Sequence, residues 1–199
     1  MQKGIREIQL SDAAAVREIY APFVTDGATS FEMDLPPVEE FENRVRTITE
    51  QYPWLVYEAD GKVLGYAYAS AHRSRCAYQW SVEVSVYIRD GARRSGIGRA
   101  LYRSLFEVLR RQGYVNAFAG ITLPNPASVG LHESLGFQRI GVFSRIGFKF
   151  GRWHDVIWLQ LRLADPVEPQ AKMLPVKDVL GPEIARYFDE QSRTVNHAR

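Results

Sequence analysis

The sequence predicts a mixed α/β domain, and three segments carry that prediction. Val82, Val84, Val86 and Ile88 alternate strictly with Glu83, Ser85 and Tyr87, the period of a strand whose two faces differ. A basic, glycine-containing loop follows. Beyond it Ile97, Leu101, Leu105, Val108 and Leu109 recur at helical spacing, with Gly113 placed to end the helix. Upstream, two apolar and aromatic runs, residues 54–58 and 62–69, flank Asp60-Gly61, a dipeptide that readily takes the positive φ angles of a tight hairpin.

The other elements follow in chain order. Ser11-Asp12 is positioned to cap a first helix bearing Val16, Ile19 and Tyr20, and Asp26-Gly27 opens a loop that carries Ser30-Phe31-Glu32. Pro36-Pro37 precedes a second helix with Phe41, Val45 and Ile48 on one face. After the central strand and helix, the pattern gives a strand at 115–121, a short helix at 128–134 and closing strands near 137–142 and 154–163. Past Asp165 prolines recur (Pro166, Pro169, Pro175, Pro182), and only residues 183–191, with Ile184 and Phe188 one turn apart, have a helical pattern. The expected organisation is a main domain over residues 1–164 and a C-terminal extension over 165–199, which covers the site, packs on a partner subunit or moves freely.

Composition removes several function classes. With 199 residues, 46% hydrophobic and 12% aromatic, the chain fills one core. A net charge of +2, spread along the chain, forms no basic stripe for nucleic acid. One cysteine, Cys76, excludes an internal disulfide, and beside Arg73 and Arg75 it reads as structural or incidental rather than nucleophilic. Neither a secretory signal pattern nor a membrane-spanning run is evident, so a soluble cytoplasmic protein is expected. The four histidines, His72, His132, His154 and His197, have no metal-ligand spacing, and no metal is expected.

Arg93-Arg94-Ser95-Gly96-Ile97-Gly98-Arg99 lies between a strand and a helix, where unpaired N–H groups and the helix dipole favour an anion. Glycines at 96 and 98 let a diphosphate approach the backbone, and the arginines add charge-assisted hydrogen bonds. An ordinary turn before a surface helix would have the same residues. A P-loop needs a Gly-Lys-Ser/Thr ending that is absent, and a dinucleotide fingerprint needs a small residue where Leu101 stands and an acid after the next strand, where Thr122-Leu123-Pro124 has none. What remains, Arg93-x-x-Gly96-x-Gly98, resembles the acetyl-CoA diphosphate loop of the GNAT superfamily. Asn125, Ser128, His132 and Gly136-Phe137 stand at the spacing of that superfamily's second motif.

This resemblance implies a mixed, mostly antiparallel twisted sheet flanked by helices, with acetyl-CoA as co-substrate. The strand before the loop would pair its main chain at Val86, Tyr87 and Ile88 with the pantetheine arm. Residues 93–99, Asn125 and Ser128 complete the cofactor set. Aminolysis of a thioester needs a neutral amine, whereas an α-amino group with pKa near roughly 8 is mostly protonated at neutral pH. Glu83, inside an otherwise apolar strand just upstream of the cofactor segment, is the candidate general base, and partial burial would raise its pKa into a useful range. The plain alternative is a glutamate facing solvent or paired with an arginine. His132 occupies the position of a tyrosine held to protonate the departing thiolate in many members of the superfamily, and its role is either that or structural.

Further segments, among them Ser30-Phe31-Glu32, Tyr52-Pro53-Trp54-Leu55-Val56, Arg73-x-Arg75, Val82-Glu83-x-Ser85-Val86-Tyr87 and Gly147-Phe148-Lys149-x-Gly151-x-Trp153-His154-Asp155-Val156, resemble the phosphinothricin and methionine sulfoximine/sulfone acetyltransferases. That resemblance implies a homodimer acting on the α-amino group of a small amino-acid-like substrate. Glu83, Ser85 and Tyr87 would line the amine, Arg73 and Arg75 would hold substrate anions, and Phe31 would form an apolar wall. The competing readings are a relative acting on another amine or a peptide N-terminus, and a non-catalytic acyl-CoA-binding regulatory module.

Overall fold

The computed structural model describes residues 3–168 and 170–195; Pro169 and His197 lie outside the described residues. Seven strands form one sheet in the order β1-β2-β3-β4-β5-β7-β6: β1 (Gly4–Glu7), β2 (Trp54–Ala59), β3 (Lys62–Ala71), β4 (Ser81–Ile88), β5 (Asn116–Thr122), β6 (Gln138–Lys149) and β7 (Arg152–Arg162). Every pairing is antiparallel except β4 with β5. The helices are α1 (Ala13–Thr25), α2 (Val38–Thr49), α3 (Ile97–Gln112), α4 (Pro126–Ser134), α5 (Val176–Val179) and α6 (Pro182–Arg193). Among the described residues no helix is long and apolar enough to cross a membrane.

The sheet buries both faces, as the alternation in β2 displays. Leu55 and Tyr57 join Val82, Val84 and the α3 stripe of Leu101, Leu105 and Leu109 in one core. Trp54 and Val56 pack the other way, with Tyr66, Val16 and Ile19 of α1 and Val45 of α2. Each fully buried leucine of α3 contributes about 1.5–3 kcal/mol, so the helix that follows the Arg93–Arg99 loop is firmly anchored. Gly113 ends it as expected, at φ 96° with its N–H bonded to the carbonyl of Arg110. Asp60 and Gly61, at φ 52° and 74°, close the β2–β3 hairpin.

Two local expectations need correction, and one strand was not read from the sequence. Asp12 does not cap α1: its carboxylate pairs with Arg6 at 2.7 and 2.9 Å and accepts from the amide of Gln9, closing a 3-10 turn over Leu10–Asp12. Strand β1 is too short to show a periodicity, yet it pairs with β2 from Gly4 to Glu7. Strand β6 runs on to Lys149, past the 137–142 read from the sequence, because register shifts near Gly141 and Gly147 break its alternation.

The chain after 164 packs on the far end of α3. Val176, Ile184, Phe188 and Val195 belong to the same core as Leu105 and Leu109. Gln112 donates to the carbonyl of Leu174 at 3.1 Å, Arg111 pairs with Glu183 at 2.8 Å, and Ser192 Oγ accepts from the amide of Ile5 at 2.9 Å. Arg111 and Gln112 lie at the end of α3 opposite the Gly96 loop.

Candidate active site

Strands β4 and β5 pair only over three positions, Ser81 with Asn116, Val82 with Ala117 and Glu83 with Phe118. Beyond Glu83 they part, while β4 keeps its antiparallel ladder to β3 as far as Ile88. The edge of β4 facing β5 is therefore without a ladder partner from Val84 onward, as a main-chain pantetheine contact requires. A chamber of about 60 Å³ lies in the fork between Val84–Tyr87 and Ala119–Thr122, with Tyr102, Asn125, Ser128 and His132 in its wall. It adjoins a groove of about 1030 Å³ that runs past Val86, Tyr87 and Ile88 to the loop before α3.

That loop turns through Gly91, Arg94 and Gly96 at φ 82°, 63° and 92°. Gly96 is the N-cap of α3, and no side chain caps the helix, so the first-turn amides face the groove unclaimed by a capping group. Arg93, Arg94, Gly96, Gly98 and Arg99 line the groove together with Asn125 and Ser128. Arg93 lies over the Phe23 ring at 5.4 Å, and Arg99 donates to Ser134 Oγ at 2.9 Å. Two residues of the expected cofactor set turn their side chains away. Ser95 Oγ donates to the carbonyl of Ala92 at 2.6 Å, and Ile97 is buried in the core. Asn125 caps α4, accepting from the amide of Ser128 at 3.1 Å.

His132, on α4, is buried with both ring nitrogens engaged. Nδ1 lies 2.8 Å from the carbonyl of Ser128 and must carry the proton, so Nε2, 3.0 Å from the Tyr102 hydroxyl, accepts from it. Burial lowers the His132 pKa and raises that of Tyr102 far above the usual phenol range, so both are neutral in the folded chain. Tyr102 was not singled out from the sequence, where it sits within the stripe of a long helix.

The other face of β4 carries Glu83, Ser85 and Tyr87 toward α1 and the α1–α2 loop. Tyr87 packs against Tyr20, Phe23 and Tyr66 with ring centroids 5.0–5.2 Å away. Ser85 is the cross-strand partner of Tyr68, whose pKa burial raises. Glu83 stands at the fork, its side chain 37% exposed, with Oε1 3.0 Å from Nδ1 of His72. The partner is therefore a histidine, where the alternatives weighed from the sequence were solvent and arginine.

Phe31 is 39% exposed, and its ring lies on Gly147, where an added Cβ would come within 2.8 Å of three ring carbons. Its loop is fixed by Lys149, buried on β6, whose Nζ donates to the carbonyls of Val24 and Ser30 at 2.6 and 2.9 Å. Burial lowers the Lys149 pKa. Glu32 next door pairs with Arg44 at 2.6 Å. Arg73 and Arg75 are exposed on the turn after His72, and neither forms an ion pair with a described residue.

Comparison with known proteins agrees with this geometry. Residues 5–158 match the family model for the acetyltransferase (GNAT) domain. The chain is 36% identical over 175 residues to a phosphinothricin N-acetyltransferase of Streptomyces viridochromogenes, covering 88% of this chain and 93% of that one. It is 38% identical over 173 residues to an L-methionine sulfoximine/L-methionine sulfone acetyltransferase of Pseudomonas aeruginosa, covering 83% and 97%. Among solved structures, a GNAT superfamily phosphinothricin acetyltransferase from Sinorhizobium meliloti in complex with acetyl-CoA superposes with a TM-score of 0.79 at 37% identity, over 85% of this chain and 96% of that one. With a forked β4–β5 pair, a glycine loop open to an anion and a family match over most of its length, the chain belongs to the GNAT acetyltransferases and is an acetyl-CoA-dependent N-acetyltransferase.

Proposed function

We propose that the chain acetylates the α-amino group of a small amino-acid-like substrate such as phosphinothricin, methionine sulfone or methionine sulfoximine, with Glu83 as general base. The observation that carries this reading is the position of Glu83, the last β4 residue paired with β5, next to the chamber that opens beyond it. The names of the related enzymes support the substrate class.

The residues fit acetyl-CoA. The amides from Gly96 to Arg99, with Arg93 and Arg94, would hold the diphosphate, and the unpaired edge of β4 from Val86 to Ile88 would hold the pantetheine arm. Bound acetyl-CoA supplies a thioester carbonyl, to which the amine nitrogen bonds as the carbon–sulfur bond breaks. Glu83 takes the ammonium proton on a carboxylate oxygen, directly or through a water. Ser85 and Phe31 shape the place of the amine, and Arg73 and Arg75 are free to pair with a carboxylate, phosphinate or sulfone oxygen. On the thiolate side, the Tyr102 hydroxyl commits its proton to His132 Nε2, so this neutral pair shapes the chamber wall, and the second proton of the amine passes through water to the departing sulfur.

We also read the enzyme as a cytoplasmic homodimer. Strand β6 is the sheet edge, and the β6–β7 hairpin exposes Ile140, Val142, Phe148 and Trp153, each more than half in contact with solvent. A second copy covering this apolar edge would remove the liability of an open strand. Acetylation of an amino-acid-mimicking inhibitor would also disarm it, which is resistance chemistry. The test is thiol release from acetyl-CoA by the purified protein with each of the three amines, beside simple amines and a peptide bearing a free N-terminus. Release with the amino-acid analogues supports the reading; release only with the others overturns the substrate assignment.

A further inference from the structure

Glu83 has three rotatable side-chain torsions and a site open on one side, so something must hold its carboxylate for it to meet an amine in one geometry. Strand register supplies the neighbour. Tyr66, Tyr68 and Ser70 share one face of β3, and the next position on that face is His72, just past the end of the strand. Ser70 pairs with Glu83 and Ala71 with Val82, so His72 is the diagonal cross-strand neighbour of Glu83. Phe118 pairs with Glu83 from the other side.

The histidine ring is itself held. It stacks on Phe118 at a centroid distance of 4.3 Å and an interplanar angle of 15°, and the edges of Trp158 and Tyr78 close on it at 6.0 and 6.2 Å. Only 13% of its side chain is exposed. From this fixed ring Nδ1 reaches Oε1 of Glu83 at 3.0 Å. The cofactor groove begins at Val86, on the Ser85 side of Glu83, whereas His72 approaches from the opposite end of the strand.

We propose that His72 is a positioning residue for Glu83: its Nδ1–H bond holds Oε1 on the side away from the cofactor and leaves Oε2 for the amine or its water. Among the described residues Oε2 has no hydrogen-bond partner, consistent with that division of labour. The inference rests on the reading of Glu83 as the base. A histidine that merely packs on Phe118 would have the same stacking but no effect on turnover once the ring is conserved in shape.

The experiment compares His72→Phe, which keeps the stack and removes the bond, with His72→Asn, which returns an N–H donor near the Nδ1 position. Initial rates are measured with acetyl-CoA and methionine sulfone. His72→Phe is expected to lower kcat by about 10-fold or more with the acetyl-CoA KM unchanged, as for loss of orientation at the reacting centre. His72→Asn is expected to recover most of that loss, and adding His72→Phe to Glu83→Gln to cost nothing further. If His72→Phe does not fold, His72→Ala takes its place, removing bond and ring without added bulk. Normal kcat in the variant lacking the bond, or an asparagine variant as slow as it, overturns the inference while a slow Glu83→Gln leaves the base assignment standing. Normal turnover in Glu83→Gln overturns both.

Discussion

At the cofactor end of the cleft, the groups that would hold a diphosphate are main-chain amides and arginines within Arg93–Arg99, seven consecutive residues before a helix anchored in the core. At the amine end, the groups are side chains gathered from separate elements: Phe31 from the α1–α2 loop, His72 from the end of β3, Glu83 and Ser85 from β4, and Phe118 from β5. The first is a local structure that works wherever a strand, a glycine loop and a helix follow one another. The second exists only when the sheet has its correct order and register. Substitutions at the two ends should accordingly separate, one set acting on acetyl-CoA binding and the other on the amine and its proton.

The largest expected effect is at the amine end. Glu83→Gln should lower kcat by about 10²-fold or more, with acetyl-CoA affinity close to normal in a calorimetric titration. Loss of cofactor binding in this variant would collapse the distinction between the ends. Next is Gly96→Val at the cofactor end. A β-branched residue at φ 92° strains the N-cap and pulls the first-turn amides out of line. The acetyl-CoA KM should rise by about 10-fold while the amine KM stays put.

A smaller effect is expected where the amine pocket is walled. An alanine at Gly147 would place its Cβ 2.3–2.8 Å from Phe31 ring atoms, so the ring must move. The amine KM should rise by roughly 3- to 10-fold with kcat and the acetyl-CoA KM little changed. An unchanged amine KM would remove Phe31 from the pocket wall.

The smallest effect is a pH dependence of stability. His132 has a lowered pKa in the folded chain, so below its ordinary value near about 6.5 the unfolded chain takes up a proton that the folded chain refuses. Stability from this group is complete above that pH and declines as pH falls from there toward the folded pKa, by at most about 1.4 kcal/mol per pH unit. Melting curves from pH 7 to 5 should therefore slope less for His132→Gln than for the unaltered chain.

What was legible in the sequence follows the same division. The alternation of β4, the α3 stripe ending at Gly113 and the Arg93–Arg99 loop are local patterns, and each was read in place. Side-chain direction within the loop was not, since Ser95 and Ile97 turn inward and only the folded helix reveals it. Glu83 was singled out because it interrupts an apolar strand, and Ser85 only through the family resemblance. His72 was visible only as a histidine without metal spacing; its pairing with Glu83 needs the β3–β4 register, which no local period encodes. Tyr102 was hidden on a helix whose buried face is mostly aliphatic, where with Phe106 stacked on it at 5.2 Å it reads as core packing. The chain beyond 164 read as an appendage of open role because its prolines dominate, while the four apolar residues that bury it against α3 are spread over 20 positions, Val176 to Val195.

The account stands most directly on where the acetyl group lies relative to Glu83, and a crystal structure of the protein with acetyl-CoA measures that. The diphosphate is expected within hydrogen-bonding distance of the Gly96 and Gly98 amides, with the sulfur in the chamber between Val84–Tyr87 and Ala119–Thr122 and Glu83 within one water of the acetyl carbon. A sulfur lodged outside that fork, or a carboxylate of Glu83 screened from it by other side chains, would contradict the account.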